Sequence, residues 1–495
     1  MLVLFNGRIG WGAVGETALL ARAGIIEAVG GDGEILDLAP ARAERIDLRG
    51  GLLLPGFTDA HVHLLHLGRL LHRTDLGEAL SLAGALERIE RTVRESAEPV
   101  LFFEGADESL WPERRLPTRR ELDRLEPRRP LLVRRVCMHI AVANGPALER
   151  IGARRPDVDP ESGRCEEESV LHLEDGPFRP SEEEDRRAVL RAQERALSFG
   201  VTTVHEIDSP RFARVWRALE SEGRLRTRVF FYAASAPEET AELAAENREG
   251  DLFRVAGVKA FLDGSIGGCT AAVTEPYPTG GDGTLLLERD AVEKLIRKAE
   301  ELELPVALHA IGDRAIEEAL AAHEAIRREG PPPVPHRIEH AEMLTPAQAG
   351  RVRRQGLLLS MQPNFPLRWG GPGGLYETRV GRERARGWNR IGEWIRAGIP
   401  VAFGSDGMPF DPFTGMEGAV RHPVPAERIS PEEAFHAYSG RAERFVPGGG
   451  AGGSIAPGRR ADLILFDGPP AEGEPLRRER LARVFAAGET VYVRE

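Results

Sequence analysis

Between Leu52 and Phe403 the chain alternates short apolar runs with longer amphipathic stretches, and this alternation limits the possible folds more than any other feature. Runs buried on both faces, separated by helix-period segments, are the pattern of parallel βα repeats. Eight runs qualify: Leu52 to Phe57, Val201 to Ile207, Thr227 to Tyr232, Val255 to Leu262, Pro305 to Leu308, His336 to Ile338, Gly356 to Met361 and Ile399 to Phe403. Helical periodicity lies between several of them, as in Ala291 to Glu301 and Ala315 to Arg328. Eight strands with intervening helices predict an α/β protein, a closed (β/α)8 TIM barrel.

The flanks read differently. Short β-rich pieces open the chain, at Leu2 to Phe5, Ile25 to Val29, Ile35 to Leu38 and Ile46 to Leu48, and the style returns at Ala461 to Phe466 and Val484 to Val493. Neither end has enough strands to bury a face, so the two are expected to meet in one small β-sandwich domain. The expected division is 1–55 and 447–495 for the sandwich and 56–446 for the barrel, with Gly448-Gly449-Gly450 marking the return. From Gly68 to Ser198 the chain is too long for one βα connection and carries strand-like pieces of its own, so an inserted subdomain is expected at about 69–198.

Composition narrows the function classes. A net charge of -12 offers no basic face to a phosphate backbone, which argues against nucleic acid as a partner. No apolar run approaches the roughly 18 residues of a membrane span. The start, Met1-Leu2-Val3-Leu4-Phe5, lacks a basic n-region, so a cytoplasmic location is the expectation. Cys137, Cys165 and Cys269 are odd in number and far apart, which suits small buried reduced thiols.

The chemistry is concentrated at strand ends. Asp59-Ala60-His61-Val62-His63 follows the first barrel run, and side chains two apart on extended chain point the same way, so His61 and His63 can offer two imidazoles to one metal. His309 ends strand five, His340 ends strand six and Asp406 follows strand eight. A barrel builds its site from the C-terminal ends of its strands, and four histidines with a carboxylate on that rim form a ligand set for a divalent metal. Lys259 adds an amine near the end of strand four. Only Lys259, Lys294 and Lys298 are lysines among the 66 basic residues, so a lysine on a buried strand points to a need for an amine that can lose its proton. A carbamate formed on Lys259 with carbon dioxide could bridge two ions about 4 Å apart.

These residues, together with Gly51-Leu52-Leu53-Leu54-Pro55-Gly56-Phe57-Thr58-Asp59-Ala60-His61, Lys259 to Gly268, Leu308-His309-Ala310-Ile311-Gly312-Asp313 and Ser454-Ile455-Ala456-Pro457-Gly458, resemble the amidohydrolase superfamily. The finer text is similar to its YtcJ-like branch, which includes N-substituted formamide deformylase. The resemblance covers nearly the whole chain. It implies the split sandwich, the barrel and zinc-type ligation, and it adds His139, through Cys137-Met138-His139-Ile140, as a substrate-side residue. Gly163 to Glu174 departs from the branch pattern, and the segment from Asp406 to Ser430 is short.

The expectation is therefore a hydrolase of an amide-type, non-peptide C–N bond in a small molecule, using metal-activated water. His61, His63 and Asp406 would hold one ion and His309 and His340 a second, with carboxylated Lys259 between them and Asp406 as general base and acid. Whether one or two ions bind is open; zinc is preferred, and iron, manganese and nickel are admitted. Asp263 and Ser265, in the rim segment Asp263 to Gly268, are candidate substrate contacts, as is His139. His205-Glu206 lies on the same rim, His66 and His72 are expected as packed or solvated histidines, and Trp369, Trp388 and Phe410 are expected in the core. A homodimer is the default assembly. The rival readings are an ester, lactone or phosphoester hydrolase on the same metals, and a metal-free barrel kept as a binding protein.

Overall fold

The computed structural model describes the chain except residues 13–14, 136–139, 153, 167, 172, 175, 247–249, 328–329, 447–452 and 495, and the side chains of 109, 168 and 171. Two compact units result, one formed by 1–64 with 193–495 and the other by 65–192.

The first unit contains an eight-stranded parallel sheet in chain order: Phe57–Val62, Val201–Asp208, Arg228–Ala233, Phe253–Phe261, Val306–Ala310, Arg337–His340, Leu358–Met361 and Val401–Phe403. Several of these strands are buried along their whole length, Phe57–Val62 and Arg228–Ala233 among them, which explains their unbroken apolar text. Strand eight meets strand one through Asp406 N donating to His61 O at 2.8 Å and Ser405 N donating to Asp59 Oδ1 at 3.0 Å. Glycine is required at 404 for that approach, since a Cβ there would lie 2.5 Å from His61 N. This is the (β/α)8 barrel.

The intervening helices show why they form. Arg289–Glu301 buries Val292, Ile296 and Ala299 on one face. Pro346–Gln355 begins at a Thr345–Gln348 capping box and stops at Gly356, whose φ is 65°.

The sheet departs from expectation at its start. Leu52 to Phe57 is not a barrel strand: Leu52–Pro55 belongs to another sheet, and the barrel strand begins at Phe57. The chain changes sheets at Gly56, where a Cβ would sit 2.2 Å from Thr202 Oγ1. Ile35 to Leu38 is also not a strand but the end of a helix, Asp32–Leu38. Its Asp32 carboxylate accepts from Asn6 N and the Thr17 hydroxyl, and Ile35 alone of its side chains is buried.

Beside the barrel the same unit holds two smaller sheets. One orders Ile25–Gly30, Ala18–Arg22, Leu2–Phe5 and Glu44–Asp47; the other orders Arg8–Ile9, Leu52–Pro55, Leu463–Phe466, Leu481–Ala486 and Glu489–Val493. Strands from both ends of the chain therefore pair directly, Leu463 opposite Pro55 and Leu465 opposite Leu53. Leu2, Leu4 and Leu19 of one sheet share an apolar cluster with Leu53, Leu463 and Phe485 of the other.

The second unit is a six-stranded mixed sheet ordered Val158–Asp159, Arg164–Glu166, Ile140–Ala143, Leu131–Arg135, Leu101–Ala106 and Thr74–Asp75. Its interior carries a matched ionic network. Arg69 meets Glu174 at 3.0 Å and Asp185 at 2.5 Å, Arg73 meets Glu104 at 2.7 Å and Glu174 at 2.9 Å, and Arg134 meets Glu104 at 2.7 Å. Among the described residues, no helix is long and apolar enough to cross a membrane.

Candidate metal centre

The C-terminal ends of the barrel strands bring the predicted side chains to one place. His61 Nε2 lies 3.5 Å and His63 Nε2 3.3 Å from Asp406 Oδ1, and one ligand atom from each of the three falls within 4.8 Å of the others. The His61 and His340 rings are 4.7 Å apart between centroids, and those of His309 and His340 4.6 Å. Parallel register sets this alignment, with Ala310 opposite His340 and His309 opposite Glu339.

Backbone strain is concentrated here. His340, Ala341 and Asp406 have φ of 69°, 48° and 53°. Left-handed geometry costs a non-glycine residue about 1–3 kcal/mol and persists only where the surroundings over-determine it.

Each imidazole has one nitrogen tied down. His61 Nδ1 donates to Glu339 Oε2 at 2.5 Å, His63 Nδ1 to Ile207 O at 2.6 Å and His340 Nδ1 to Gln362 Oε1 at 2.8 Å. That leaves Nε2 of all three for a ligand. His309 is turned the other way, its Nε2 donating to Gly264 O at 3.0 Å, so Nδ1 is its remaining atom. Fixing one ring nitrogen selects the tautomer at the other, which is how proteins orient metal-binding histidines.

Electrostatics follow from burial. Desolvation pushes His61 and His309 well below the usual histidine range, and Lys259, close to both, pushes the same way. Burial opposes charge on His63 too, but the hydrogen bond and charge of Asp406 lift it to about 9. Asp406 is pulled the other way against its own burial, below the carboxylate range, by His63, His61 and His340. Lys259 is 3% exposed, its Nζ has no hydrogen-bond partner, and burial lowers its pKa to about 8. The amine has no hydrogen-bond partner although Glu339 and Asp406 both act on it through charge. Imidazole nitrogens with the Asp406 carboxylate are a donor set that fits a divalent ion.

The remaining predicted residues divide. Asp263 is buried and takes three backbone N–H groups, from Ile311 at 3.0 Å, Gly312 at 2.8 Å and Ala272 at 3.0 Å, and desolvation raises it to about 6. Ser265 is exposed, and its hydroxyl accepts from Gly268 N at 3.3 Å. His139 and Cys137 lie outside the described residues, as does the glycine run at 448–450. Cys165 is buried, whereas Cys269 is half-buried at a φ of 54°. His72 is exposed and 3.0 Å from Glu98, while Trp369 and Trp388 pack with Phe365 and Tyr376 beside Ile266 and Ile311.

Several contributors escaped the sequence reading. Asp59 Oδ1 accepts from both His61 N and Ser405 N, clamping the two ligand-bearing segments together. Arg337 and Glu339 lie under His61 with Nε–Oε1 at 2.6 Å, and Arg337 Nη1 donates to His205 Nδ1 at 2.8 Å. Glu206, which the sequence places on the rim with His205, accepts at Oε2 from Leu64 N at 2.6 Å. The signal was available in part: Asp59 and His61, like Arg337 and Glu339, are polar residues two apart on fully buried strands.

Known proteins are similar to this chain over most of its length. The chain is 26% identical to N-substituted formamide deformylase of Arthrobacter pascens over 96% of its own length and 95% of that relative. It is 27% identical to YtcJ of Bacillus subtilis (strain 168), a protein named as an amidohydrolase, over 91% and 90% of the two chains. Among solved structures it is similar to an uncharacterized metal-dependent hydrolase from Pyrococcus furiosus, with a TM-score of 0.83 and 30% identity, covering 95% of this chain and 99% of that one. The amidohydrolase family model matches residues 44–492, and on that span the chain belongs to the amidohydrolase family, as a metal-dependent hydrolase.

Proposed function

We propose that the protein hydrolyses an amide-type, non-peptide C–N bond of a small molecule at a centre of one or two divalent ions, zinc by preference, held by His61, His63, Lys259, His309, His340 and Asp406. The observation that carries this reading is the convergence of His61, His63 and Asp406 ligand atoms within 4.8 Å, beside the partnerless Lys259 amine. When bound, such an ion supplies Lewis acidity toward a carbonyl and makes water a stronger acid.

The chain's own residues do the rest. His61, His63 and Asp406 hold one ion, and His309 and His340 hold the other. The desolvated Nζ of Lys259 adds to the carbon of carbon dioxide and releases a proton, giving a carbamate whose oxygens would supply further anionic donors to the centre. Asp406 takes a proton from the attacking water and returns it to the leaving nitrogen, at 12% side-chain exposure and 3.3 Å from His63. Ser265 is a rim contact for substrate, and the family resemblance offers His139, outside the described residues, as a further substrate-side residue. Asp263, with its oxygens committed to backbone N–H groups, acts by bracing the rim and not by touching substrate. The three widely spaced cysteines suit a reducing cytoplasm, and a homodimer is the default assembly for such an enzyme.

The test is a panel of N-formyl and N-acyl amines, cyclic amides, matched esters, lactones and phosphoesters, assayed on zinc-reconstituted enzyme. Turnover of the amides with kcat/KM above that of the matched esters is expected. Turnover confined to esters, lactones or phosphoesters would overturn the bond assignment.

A further inference from the structure

The histidines of the centre are not held alike. His63 donates to a neutral carbonyl, Ile207 O, and His340 to a neutral amide, Gln362 Oε1. His61 faces a carboxylate, at 2.5 Å from Glu339 Oε2. A carboxylate behind an imidazole raises its basicity as a ligand, and a neutral acceptor does so less.

That carboxylate is itself built in. Glu339 and Arg337 are 0% and 1% exposed, with Arg337 Nε 2.6 Å from Glu339 Oε1. The guanidinium lies 4.1 Å above the Tyr232 ring, and its Nη1 donates to His205 Nδ1, which therefore accepts and is the neutral end of the chain of contacts. Strands one, two, three and six thus contribute to a single line from His205 through Arg337 and Glu339 to His61. So much buried charge costs stability in a barrel interior unless it performs a task.

We propose that Glu339, seated by Arg337, is a positioning residue that makes His61 the anchoring ligand, so that the ion held by His61 is the tightest bound and the other imidazoles contribute less to affinity. The inference rests on the metal-centre reading above.

Glu339→Gln keeps shape and an acceptor while removing the charge; Gln362→Met removes the acceptor behind His340. Zinc affinity is measured by competition with a chromophoric chelator, alongside the melting temperature of each metal-free variant. The expectation for Glu339→Gln is a 10- to 100-fold weaker affinity of the folded variant, of the size seen when such partners are lost, with a lowered metal-free melting temperature because Arg337 loses its buried partner. The expectation for Gln362→Met is a smaller loss. Equal affinity in Glu339→Gln and parent, or a larger loss in Gln362→Met, overturns the inference while the metal centre stands. A parent that binds no zinc defeats the metal centre itself. If Glu339→Gln does not fold, His61→Ala and His63→Ala decide: a greater loss in His61→Ala is expected, and an equal or greater loss in His63→Ala contradicts the anchoring role.

Discussion

Two of the buried clusters of charged and titratable residues among the described residues are balanced differently. In the second unit three arginines, Arg69, Arg73 and Arg134, meet three carboxylates, Glu104, Glu174 and Asp185, and each cation has a carboxylate oxygen within 3.0 Å. At the barrel mouth, four imidazoles and the Lys259 amine gather around Asp406, and the amine has no partner. The first cluster is complete as protein and needs nothing added. The second leaves the Lys259 amine without a hydrogen-bond partner, the kind of buried polar group that calls for a functional explanation.

The largest effect expected on either side of that contrast comes from Asp406→Asn. It should lower kcat/KM by about 10²–10⁴-fold, the usual worth of a general acid–base group, while metal content by elemental analysis stays near the parent's. An active, metal-loaded variant would remove the acid–base role.

The matched cluster should answer in stability alone. Glu174→Gln leaves buried arginines underpaired and should cost about 3–5 kcal/mol in denaturant unfolding, with kcat/KM per folded molecule unchanged. The pH dependence has a definite sign. Against its own burial, Glu174 is held at about 2 by Arg73, Arg134 and Arg69 with help from His66. Its contribution is therefore present above the unfolded carboxylate pKa of roughly 4.3 and is lost as pH falls toward 2. Melting temperatures of Glu174→Gln should fall less steeply than the parent's across that window; parallel slopes would refute the pairing.

Lys259→Ala should reduce bound metal and activity by roughly 10- to 100-fold, with partial return on adding short carboxylic acids that take the place of a carbamate. No rescue, with metal content intact, would retire the carbamate. At the small end, Glu293→Ala breaks an exposed pair with Arg297 at 2.7 Å and should change stability by less than about 0.5 kcal/mol.

Much of the barrel was legible because its strands are buried on both faces and so read as apolar runs, and His61, His63, His309, His340 and Asp406 stood out as polar residues ending those runs. What stayed hidden depends on tertiary pairing. Glu339 finds His61 across 278 residues, and nothing local distinguishes it from a charged strand residue that faces water. Asp263 read as a substrate contact because it sits on the rim; its backbone partners at Ile311 and Gly312 come from another βα unit. Leu52 to Val62 read as one continuous run, although the chain changes sheets at Gly56, where strand two comes too close for a side chain. Ile35 to Leu38 is too short for its period to tell helix from strand.

The account stands most directly on a zinc titration by calorimetry of metal-free parent and of the His61→Ala/His63→Ala double variant. The parent should bind at least one equivalent per chain, and the folded double variant should lose that binding. Undiminished binding by the folded double variant, or none by the parent, would contradict the claim that these side chains grip a cation.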